Sequence, residues 1–343
     1  MKRLLLILLC LPMIGFGQLT YVPDNNFEAY LEINGMGNGI PYDSSVFTSA
    51  IDTLTYLDLS MGAGTATGFF DLTGIEDFTA LTYLNCSYNQ LTSLNVSNNT
   101  ALTGLWCNEN QIASLDVSNN HFLKELDCGG NQLTTLDVSQ STDLTLLDCG
   151  GDQISTLDVS QNTDLTYLEC AGNQLTSLDV SNNTALTYLH CEYNQLTILD
   201  VSNNIVLSIF NCDGNQLTTL DLSQNMFLVD VGCYQNQLIS LDVRNGNNIN
   251  FVLFRANQNQ NLTCIDVDDS TWSTNNWTVA NGNIDPQHFF SSNCIGTGIE
   301  EFVKDKPANK ITNLLGKTTK LKKNSPLFYI YDDRIIEKKI IIE

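Results

Sequence analysis

A 21-residue pattern repeats eight times between residues 81 and 248, and it constrains the fold more than any other feature of the chain. The pattern is L-x-x-L-x-C-x-x-N-x-L-x-x-L-D-V-S-x-N-x-x, with copies that begin at Leu81, Leu102, Leu123, Leu144, Leu165, Leu186, Leu207 and Leu228. A strict period of this length indicates a solenoid, in which each repeat forms one coil and buries its apolar side chains against neighbouring coils. A solenoid offers a long regular face and no natural catalytic cleft, and this favours binding over catalysis.

The repeat resembles the leucine-rich repeat in a short bacterial form, and the resemblance covers most of the chain. It implies a mainly β solenoid of about ten coils, whose short strands at L-x-C pair in parallel. A longer first coil begins at Leu54, and a degraded coil begins at Ile249, with Phe254 in the position of the cysteine. The segment L-D-V-S also alternates apolar and polar residues, which predicts a second short strand.

Caps are expected at both ends of the solenoid, which spans residues 54–262. Asn25, followed three residues later by Glu28, predicts a helix start within residues 18–53. This helix would cover the open N-terminal end of the solenoid. Residues 263–298 are rich in Trp and Phe and are expected to form the C-terminal cap.

The first 17 residues are expected to be a signal peptide. Lys2 and Arg3 precede an apolar run from Leu4 to Ile14, which is too short to span a bilayer. Small residues then precede a cleavage point before Gln18. No later segment is apolar over the roughly 18 residues of a transmembrane helix, so the protein is not expected to be an integral membrane protein.

One cysteine recurs in every regular repeat, at a position expected to point inward: Cys86, Cys107, Cys128, Cys149, Cys170, Cys191, Cys212 and Cys233. Neighbouring parallel strands would hold their Cβ atoms roughly 4.8 Å apart, beyond the roughly 3.8 Å of a disulfide. No inward histidine accompanies them to complete a zinc site. We therefore expect buried, free thiols. Cys264 and Cys294 lie outside this series and are the candidates for a disulfide, which would stabilise by about 3–4 kcal/mol.

An asparagine recurs nine residues into each coil, where its amide can satisfy backbone groups: Asn89, Asn110, Asn131, Asn173, Asn194, Asn215, Asn236 and Asn257. Asp152 takes this position in one coil. A carboxylate lacks the amide donors, so this coil is expected to be weaker.

Aspartates recur along a second column: Asp116, Asp137, Asp158, Asp179, Asp200, Asp221 and Asp242. We interpret them as a solvated edge bonded to Ser and Asn of adjacent turns. The alternative is that calcium binds along this edge, because carboxylate oxygens are its preferred ligands. No other cofactor is expected.

The outward positions around L-x-C vary freely while the frame hardly changes, which is typical of a recognition surface. The candidate binding residues are Trp106, Glu125, Asp127, Asp148, Tyr167, Glu169, Tyr188, His190, Glu192 and Tyr193. Exposed aromatic residues contribute strongly to interfaces, and acidic neighbours favour a basic partner. A protein is therefore the expected partner, and a polysaccharide is the second choice.

The charge distribution excludes some partners and marks a boundary. Between Gln18 and Ile299 the chain has 31 acidic residues and three basic ones, so nucleic acid is not expected to bind. Ten of the 15 Lys and Arg residues follow Phe302. The change of sign near residue 300 indicates a separate terminal segment.

Catalysis finds little support in the sequence. The three histidines, His121, His190 and His288, stand in no metal or nucleophile motif, and neither a G-x-S-x-G sequence nor a phosphate loop is present. Glu169 and His190 are expected to approach each other, but no nucleophile accompanies them. The chain is therefore not expected to be an enzyme.

Residues 299–343 are a linker followed by strand-like pieces at Lys310–Leu315, Leu327–Tyr331 and Lys338–Ile342. The sequences LLGK at 314–317, KKNSPLF at 322–328, YDDR at 331–334 and EKKIIIE at 337–343 resemble the type A C-terminal sorting domain of type IX secretion cargo. Arg334 stands where that family typically has glycine. The resemblance implies that the signal peptide directs export and that the type IX machinery then moves the protein across the outer membrane.

Together these features predict a secreted or cell-surface protein that binds another protein, as adhesins do, without catalysis. The alternatives are a structural or calcium-stabilised surface component and a polysaccharide-binding module.

Overall fold

A computed structural model describes residues 17–60, 68–294, 310–312, 326–330 and 336–340. The chain divides into two compact units, Met1–Ser292 and Asn293–Glu343. Residues 1–16 of the predicted signal peptide and most of the sorting-domain sequences, LLGK and YDDR included, lie outside the described residues.

The N-terminal part of the first unit contains strand β1 (Leu19–Tyr21), helix α1 (Asn25–Ile33), strand β2 (Ser45–Phe47) and helix α2 (Thr48–Ile51). The strands β1 and β2 pair antiparallel. Helix α1 begins at Asn25 because one carboxylate oxygen of Asp24 accepts hydrogen bonds from the backbone N–H groups of Asn26 and Phe27.

The N-cap is therefore Asp24 and not the predicted Asn25. Glu28, the predicted partner of Asn25, is buried and accepts a hydrogen bond from the backbone N–H of Asp43. The second oxygen of Asp24 accepts from the backbone N–H groups of Phe70 and Asp71, which fastens the helix start to the first coil.

Ten short strands, one per coil, form a single parallel sheet along the solenoid. In spatial order they are β3 (Tyr56–Asp58), β4 (Tyr83–Asn85), β5 (Gly104–Trp106), β6 (Glu125–Asp127), β7 (Leu146–Asp148), β8 (Tyr167–Glu169), β9 (Tyr188–His190), β10 (Ile209–Asn211), β12 (Asp230–Gly232) and β14 (Leu253–Arg255). The predicted solenoid of about ten coils is therefore confirmed.

The core is a set of stacked apolar columns. The central residue of each strand is buried, and so is the cysteine that follows the strand, as Leu84 and Cys86 illustrate. All eight ladder cysteines are buried and free, as predicted. Each buried leucine stabilises the fold by roughly 1.5–3 kcal/mol. The residue pattern repeats strictly because every coil buries apolar side chains at the same positions.

The predicted asparagine ladder is present and links successive coils. The Asn110 side-chain amide donates to the carbonyl oxygens of Cys86 and Cys107, at 3.0 Å each, and its Oδ1 accepts from the backbone N–H of Leu91. Equivalent bonds recur in the neighbouring coils. The ladder thus satisfies buried backbone groups that the short strands leave unpaired.

A second asparagine ladder was not predicted: Asn99, Asn120, Asn162, Asn183, Asn204 and Asn225 are fully buried. Asn120, for example, donates to the carbonyl oxygens of Val96 and Asn99 of the preceding coil. The repeated N in S-x-N carried the signal for this ladder. Ser141 replaces the asparagine in one coil and donates to the carbonyl oxygen of Asn120.

The degraded coil has two more residues than predicted, and this corrects two assignments. Val231 pairs with Phe254 in the sheet, so Phe254 takes the central strand position and Ala256 takes the cysteine position. The ladder asparagine of this coil is consequently Asn259, whose amide donates to the carbonyl oxygens of Cys233 and Ala256. The predicted member, Asn257, lies two residues earlier.

The second strand predicted at L-D-V-S forms only in the C-terminal coils. There β11 (Thr219–Asp221), β13 (Ser240–Asp242), β15 (Cys264–Asp266) and β16 (Phe289–Ser291) make a four-stranded parallel sheet. In the earlier described coils this segment is not a strand. Short 3-10 helices occur at Ile75–Asp77 and Asn248–Asn250, and helix α3 spans Ser270–Asn276.

Cys264 is disulfide-bonded, and so is Cys294. The pairing of these two cysteines with each other remains our prediction.

In the second unit, β17 (Lys310–Thr312), β18 (Pro326–Ile330) and β19 (Ile336–Ile340) form an antiparallel sheet close to the predicted strand-like pieces. Among the described residues, no helix has the length and apolarity that a membrane crossing needs.

Candidate functional site

The register of the ten-stranded sheet brings outward side chains into straight rows. Strand residues pair one to one, so Asp127 lies beside Asp148, Asp148 beside Glu169, and Glu169 beside His190. Because the strands are parallel and the coils have equal length, side chains 21 residues apart in sequence become neighbours. We call Asp127, Asp148 and Glu169 the acidic row.

Each carboxylate of the acidic row is held by its own coil. Asp127 Oδ1 accepts from the backbone N–H of Gly129 at 3.3 Å, and Asp148 Oδ1 accepts from that of Gly150 at 3.0 Å. Glu169 Oε1 accepts from the backbone N–H of Ala171 at 3.2 Å. Within the described residues, no hydrogen bond or ion pair occupies the second oxygen of either aspartate, so both can accept from a bound molecule.

Small residues form the floor beside the acidic row: Gly129, Gly130, Gly150, Gly151, Ala171 and Gly172. A Cβ atom at Gly129 would lie 2.9 Å from the carbonyl oxygen of Gly150, so a side chain does not fit there. Gly130, Gly151 and Gly172 adopt positive φ angles between 64° and 71°. Glycine is favoured at these positions because other residues are strained in the left-handed region.

Larger side chains border this floor at both ends. Tyr88 and Glu109 lie at one end, and Glu192 and Tyr193 lie at the other. Tyr88 and Tyr193 occupy the same left-handed position as the glycines, with φ of 58° and 53°. Strain of this kind concentrates at functional sites. The row, floor and borders enclose a depression of about 450 Å³, which we call the acidic groove.

In the acidic groove, partly buried carboxylates lie close together and repel one another. Burial, and then the neighbouring charge of Asp148, raise the pKa of Asp127 to about 7. Burial also raises the pKa of Asp148, with Glu169 adding to the effect. Among the described residues no Lys or Arg forms an ion pair with the row. A cationic ligand would reduce the repulsion between these carboxylates. Such a ligand would bind most tightly above about pH 7, where Asp127 is ionised.

An aromatic and histidine cluster adjoins the groove. The rings of Tyr167 and Tyr188 stack with centroids 4.1 Å apart, and the ring of Tyr188 also lies 4.1 Å from that of His190. The Tyr188 hydroxyl is 2.7 Å from His190 Nδ1. Burial alone would lower the pKa of His190, but the hydrogen bond with Glu169 and the charge of Glu192 raise it overall.

The structure brings most of the predicted binding residues together, although not all of them. Asp127, Asp148, Glu169, Glu192 and Tyr193 line the groove, and Tyr167, Tyr188 and His190 adjoin it. Trp106 and Glu125 do not line it. The Trp106 ring lies 6.2 Å from that of Tyr83, and the Glu125 side chain is exposed.

Sequence reasoning missed Tyr88, Glu109 and the glycine floor. The repeated glycine one residue before the ladder asparagine was the available signal, because it marks a backbone position with positive φ.

The aspartate column lies on the L-D-V-S segment and is largely exposed. Asp116 Oδ1 accepts from the backbone N–H of Ser118 at 2.9 Å, and the pattern recurs at Asp137 and Asp158. Hydrogen bonds from Ser118 hold the pKa of Asp116 below its usual range. The aspartates therefore bond serines of their own coil and not, as predicted, serines and asparagines of adjacent turns. The calcium alternative stays a prediction.

A second depression, of about 700 Å³, lies at the C-terminal coils and is lined mainly by amide side chains: Gln235, Gln237, Gln258, Gln260, Asn261 and Gln287. Its carboxylate, Asp285, accepts hydrogen bonds from the backbone N–H groups of Gln258 and Asn259. Because this carboxylate is already satisfied, the smaller acidic groove is the stronger candidate site.

No protein-family model matches the chain, and no curated protein matches it in sequence. Among solved structures, the functional domain of InlJ from Listeria monocytogenes, described as including a cysteine ladder, is 30% identical over 73% of this chain and 68% of that chain, with a TM-score of 0.42. A leucine-rich-repeat protein of Leptospira interrogans is 22% identical over 69% of this chain and 62% of that chain, with a TM-score of 0.53.

The Arabidopsis receptor kinase HAESA, solved in complex with the peptide hormone IDA and the co-receptor SERK1, is 20% identical over 63% of this chain and 39% of that chain, with a TM-score of 0.50. At this level of identity the likeness extends to the fold alone.

Proposed function

Because the chain belongs to the leucine-rich-repeat family, we propose that it binds another protein, without catalysis, through the acidic groove. The observation that carries this proposal is the row of three carboxylates beside a floor made of glycines and one alanine. A partner segment with Lys or Arg side chains fits this chemistry, because both are cationic hydrogen-bond donors.

The carboxylates of the groove are prepared for such a partner. One oxygen of Asp127 and one of Asp148 are fixed by backbone N–H groups, so both side chains are already oriented before binding. Preorganised groups lose little entropy on association, and their second oxygens can accept from an ammonium or a guanidinium group. Each such bond to a charged group contributes about 1.5–3 kcal/mol.

The floor and the tyrosines complete the fit. The glycines let an extended segment approach the backbone of the coils closely. Tyr193 is 57% exposed and borders the floor, so its ring can cover apolar parts of the segment. Tyrosine supplies contact area at low entropic cost, which is why it is common in binding surfaces.

The experiment is a selection of random displayed peptides on the full chain. We expect enrichment of Lys- and Arg-containing sequences that bind the groove variant D127N/D148N at least about 10-fold more weakly. The selection is done at pH 8, where Asp127 is largely ionised, and the matched control is the edge variant D137N/D158N, which removes two carboxylates from the same two coils and should bind normally. Absence of basic enrichment, or equal loss in both variants, would refute the proposal.

A polysaccharide is the second candidate, and the stacked rings of Tyr167 and Tyr188 are the observation that favours it. Binding on a glycan array that is lost in Y167A and Y188A, and retained in D127N/D148N, would show that the ligand is a polysaccharide and not a protein.

We further propose that the protein acts at the cell surface or in the medium. The support is the predicted signal peptide of residues 1–17 and the resemblance of residues 299–343 to a type IX sorting domain. Deletion of residues 299–343 should leave the body in the periplasm, whereas the full chain should reach the surface and begin at Gln18 by intact mass. Surface display of the deleted form would contradict this route.

A further inference from the structure

Glu169, His190 and Glu192 bring three potential metal ligands together at the end of the acidic groove. Glu169 and His190 end the neighbouring strands β8 and β9, and Glu192 follows two residues after His190. His190 Nδ1 lies 3.1 Å from Glu169 Oε2 and 3.7 Å from Glu192 Oε1. The three side chains are about one-fifth exposed, so an ion could reach them from solvent.

These separations suit a small tetrahedral ion. Zn²⁺ binds histidine nitrogen and carboxylate oxygen at about 2.0–2.2 Å, which puts two ligands of a tetrahedral site about 3.4 Å apart. The two separations from His190 Nδ1, 3.1 and 3.7 Å, lie within a few tenths of an ångström of that value, and all three ligand atoms lie within 4.8 Å of one another. We propose that Glu169, His190 and Glu192 bind one Zn²⁺ ion and leave its fourth position open to water or to a side chain of a partner.

Two further contacts support the site. Glu192 Oε2 is buried and has no hydrogen-bond partner among the described residues, so the carboxylate carries a poorly solvated negative charge that an ion bound at Oε1 would neutralise. The Tyr188 hydroxyl now contacts His190 Nδ1, and it also lies 3.4 Å from Glu169 Oε2. When the ion takes the nitrogen, this hydroxyl can turn fully to the carboxylate, as groups around metal ligands commonly do.

Among the described residues, neither glutamate forms an ion pair with Lys or Arg; the cation that each of them contacts is His190 when its ring is protonated. The three ligands come from a regular stack of coils with a fixed register, so the site does not have to be assembled on binding. This inference goes beyond the proposed function and does not rest on it.

The test is a titration of the full chain with Zn²⁺ in competition with a chromophoric chelator, without any peptide partner. We expect saturable binding of one ion. The variants H190Q, E169Q and E192Q should each lose at least about 10-fold in affinity. Replacement of Zn²⁺ by Co²⁺ should give the visible absorption of a tetrahedral ion, and H190Q should abolish that absorption.

Two controls separate this site from other acidic positions. H121A changes an exposed histidine in the same fold, and D179N changes the exposed aspartate-column carboxylate in the coil of Glu169; both should keep full Zn²⁺ affinity. Ca²⁺ should not compete, because it requires six to eight oxygen ligands. Absence of one-to-one binding, retained affinity in H190Q, or loss in D179N equal to that in E192Q would overturn the proposal.

Discussion

A single carboxylate, Asp152, interrupts the asparagine ladder. Its Oδ1 accepts from the backbone N–H of Leu133 at 2.9 Å, as the ladder asparagines do for their own partners. Its Oδ2 is buried without a hydrogen-bond partner, where an asparagine would have donated to two carbonyl oxygens. Burial raises the pKa of Asp152 to about 6. The weak point predicted in this coil therefore has a physical basis.

The substitution D152N should stabilise the protein by about 1–2 kcal/mol at pH 7.5, because the amide restores the missing donors. The raised pKa of Asp152 means that the wild-type fold holds its proton better than the unfolded chain does. The stabilisation that Asp152 gives the wild-type fold is therefore full below about pH 4 and is lost as the pH rises through about 6. The gain in D152N should accordingly shrink at pH 5, as thermal unfolding would measure.

The converse substitution in the next coil, N173D, is the matched control and should destabilise. An equal gain in D152N at pH 5 and pH 7.5 would show that ionisation of Asp152 is not the cause.

Asp127 should also make the free energy of unfolding depend on pH. Because its pKa in the fold is about 7, the stabilisation that protonated Asp127 gives is lost as the pH rises from about 4 through 7. D127N should therefore gain about 1–2 kcal/mol over the wild type at pH 8, after allowance for solvent screening, and little at pH 4. The exposed D116N should show no such gain, because the pKa of Asp116 is lowered. A pH-independent difference between D127N and the wild type would contradict this account.

At the scale of elements, the strand, cysteine and first asparagine columns followed from the sequence because eight copies impose the same burial on each position. Other features depend on backbone geometry and on contacts between coils, which the repeated residue pattern does not specify. The glycine floor results from positive φ, and the two extra residues of the last coil appear only in the pairing of Val231 with Phe254. The second strand required hydrogen bonds between coils, which form only at the C-terminal end.

The cysteine ladder should be chemically inert. Burial raises the pKa of Cys86 to about 12, and in later coils the thiols donate weakly to backbone carbonyls, as Cys212 does to Gly232 at 3.3 Å. Because the thiolate is the reactive form, a thiol reagent should label none of the eight in the native protein.

In guanidinium without reductant, a chain that begins at Gln18 should show those eight thiols, and reduction should add two from Cys264 and Cys294. Rapid labelling of the native ladder would contradict the burial of the thiols, and ten thiols before reduction would contradict the predicted disulfide.

For the whole molecule, the acidic composition explains which class of partner is favoured. Carboxylates lie on both the groove and the aspartate column, but Asp127 and Asp148 of the groove are partly buried with raised pKa values, whereas the pKa of Asp116 in the column is lowered. Partly buried charges are screened less by salt than exposed ones. Binding of a basic peptide should weaken by about 10-fold between 50 and 500 mM NaCl through the loss of long-range attraction. Salt-independent binding, measured by anisotropy, would indicate an apolar interface elsewhere.

The acidic charge and the candidate face were both predictable from the sequence, and the boundary of the site was not. Trp106 belongs to the same outward position as Asp127, yet it lies outside the groove because its neighbour Tyr83 packs beside it. Side-chain packing between coils decides such details, and the repeat pattern does not specify it.

The most direct test of the account is an anisotropy titration, at pH 8 and low salt, of a selected Lys- and Arg-containing peptide against three forms of the full chain. The account predicts at least about 10-fold weaker binding by the groove variant D127N/D148N and binding within about twofold of wild type by the edge variant D137N/D158N. Equal affinities for all three forms would contradict the claim that the acidic groove binds the partner.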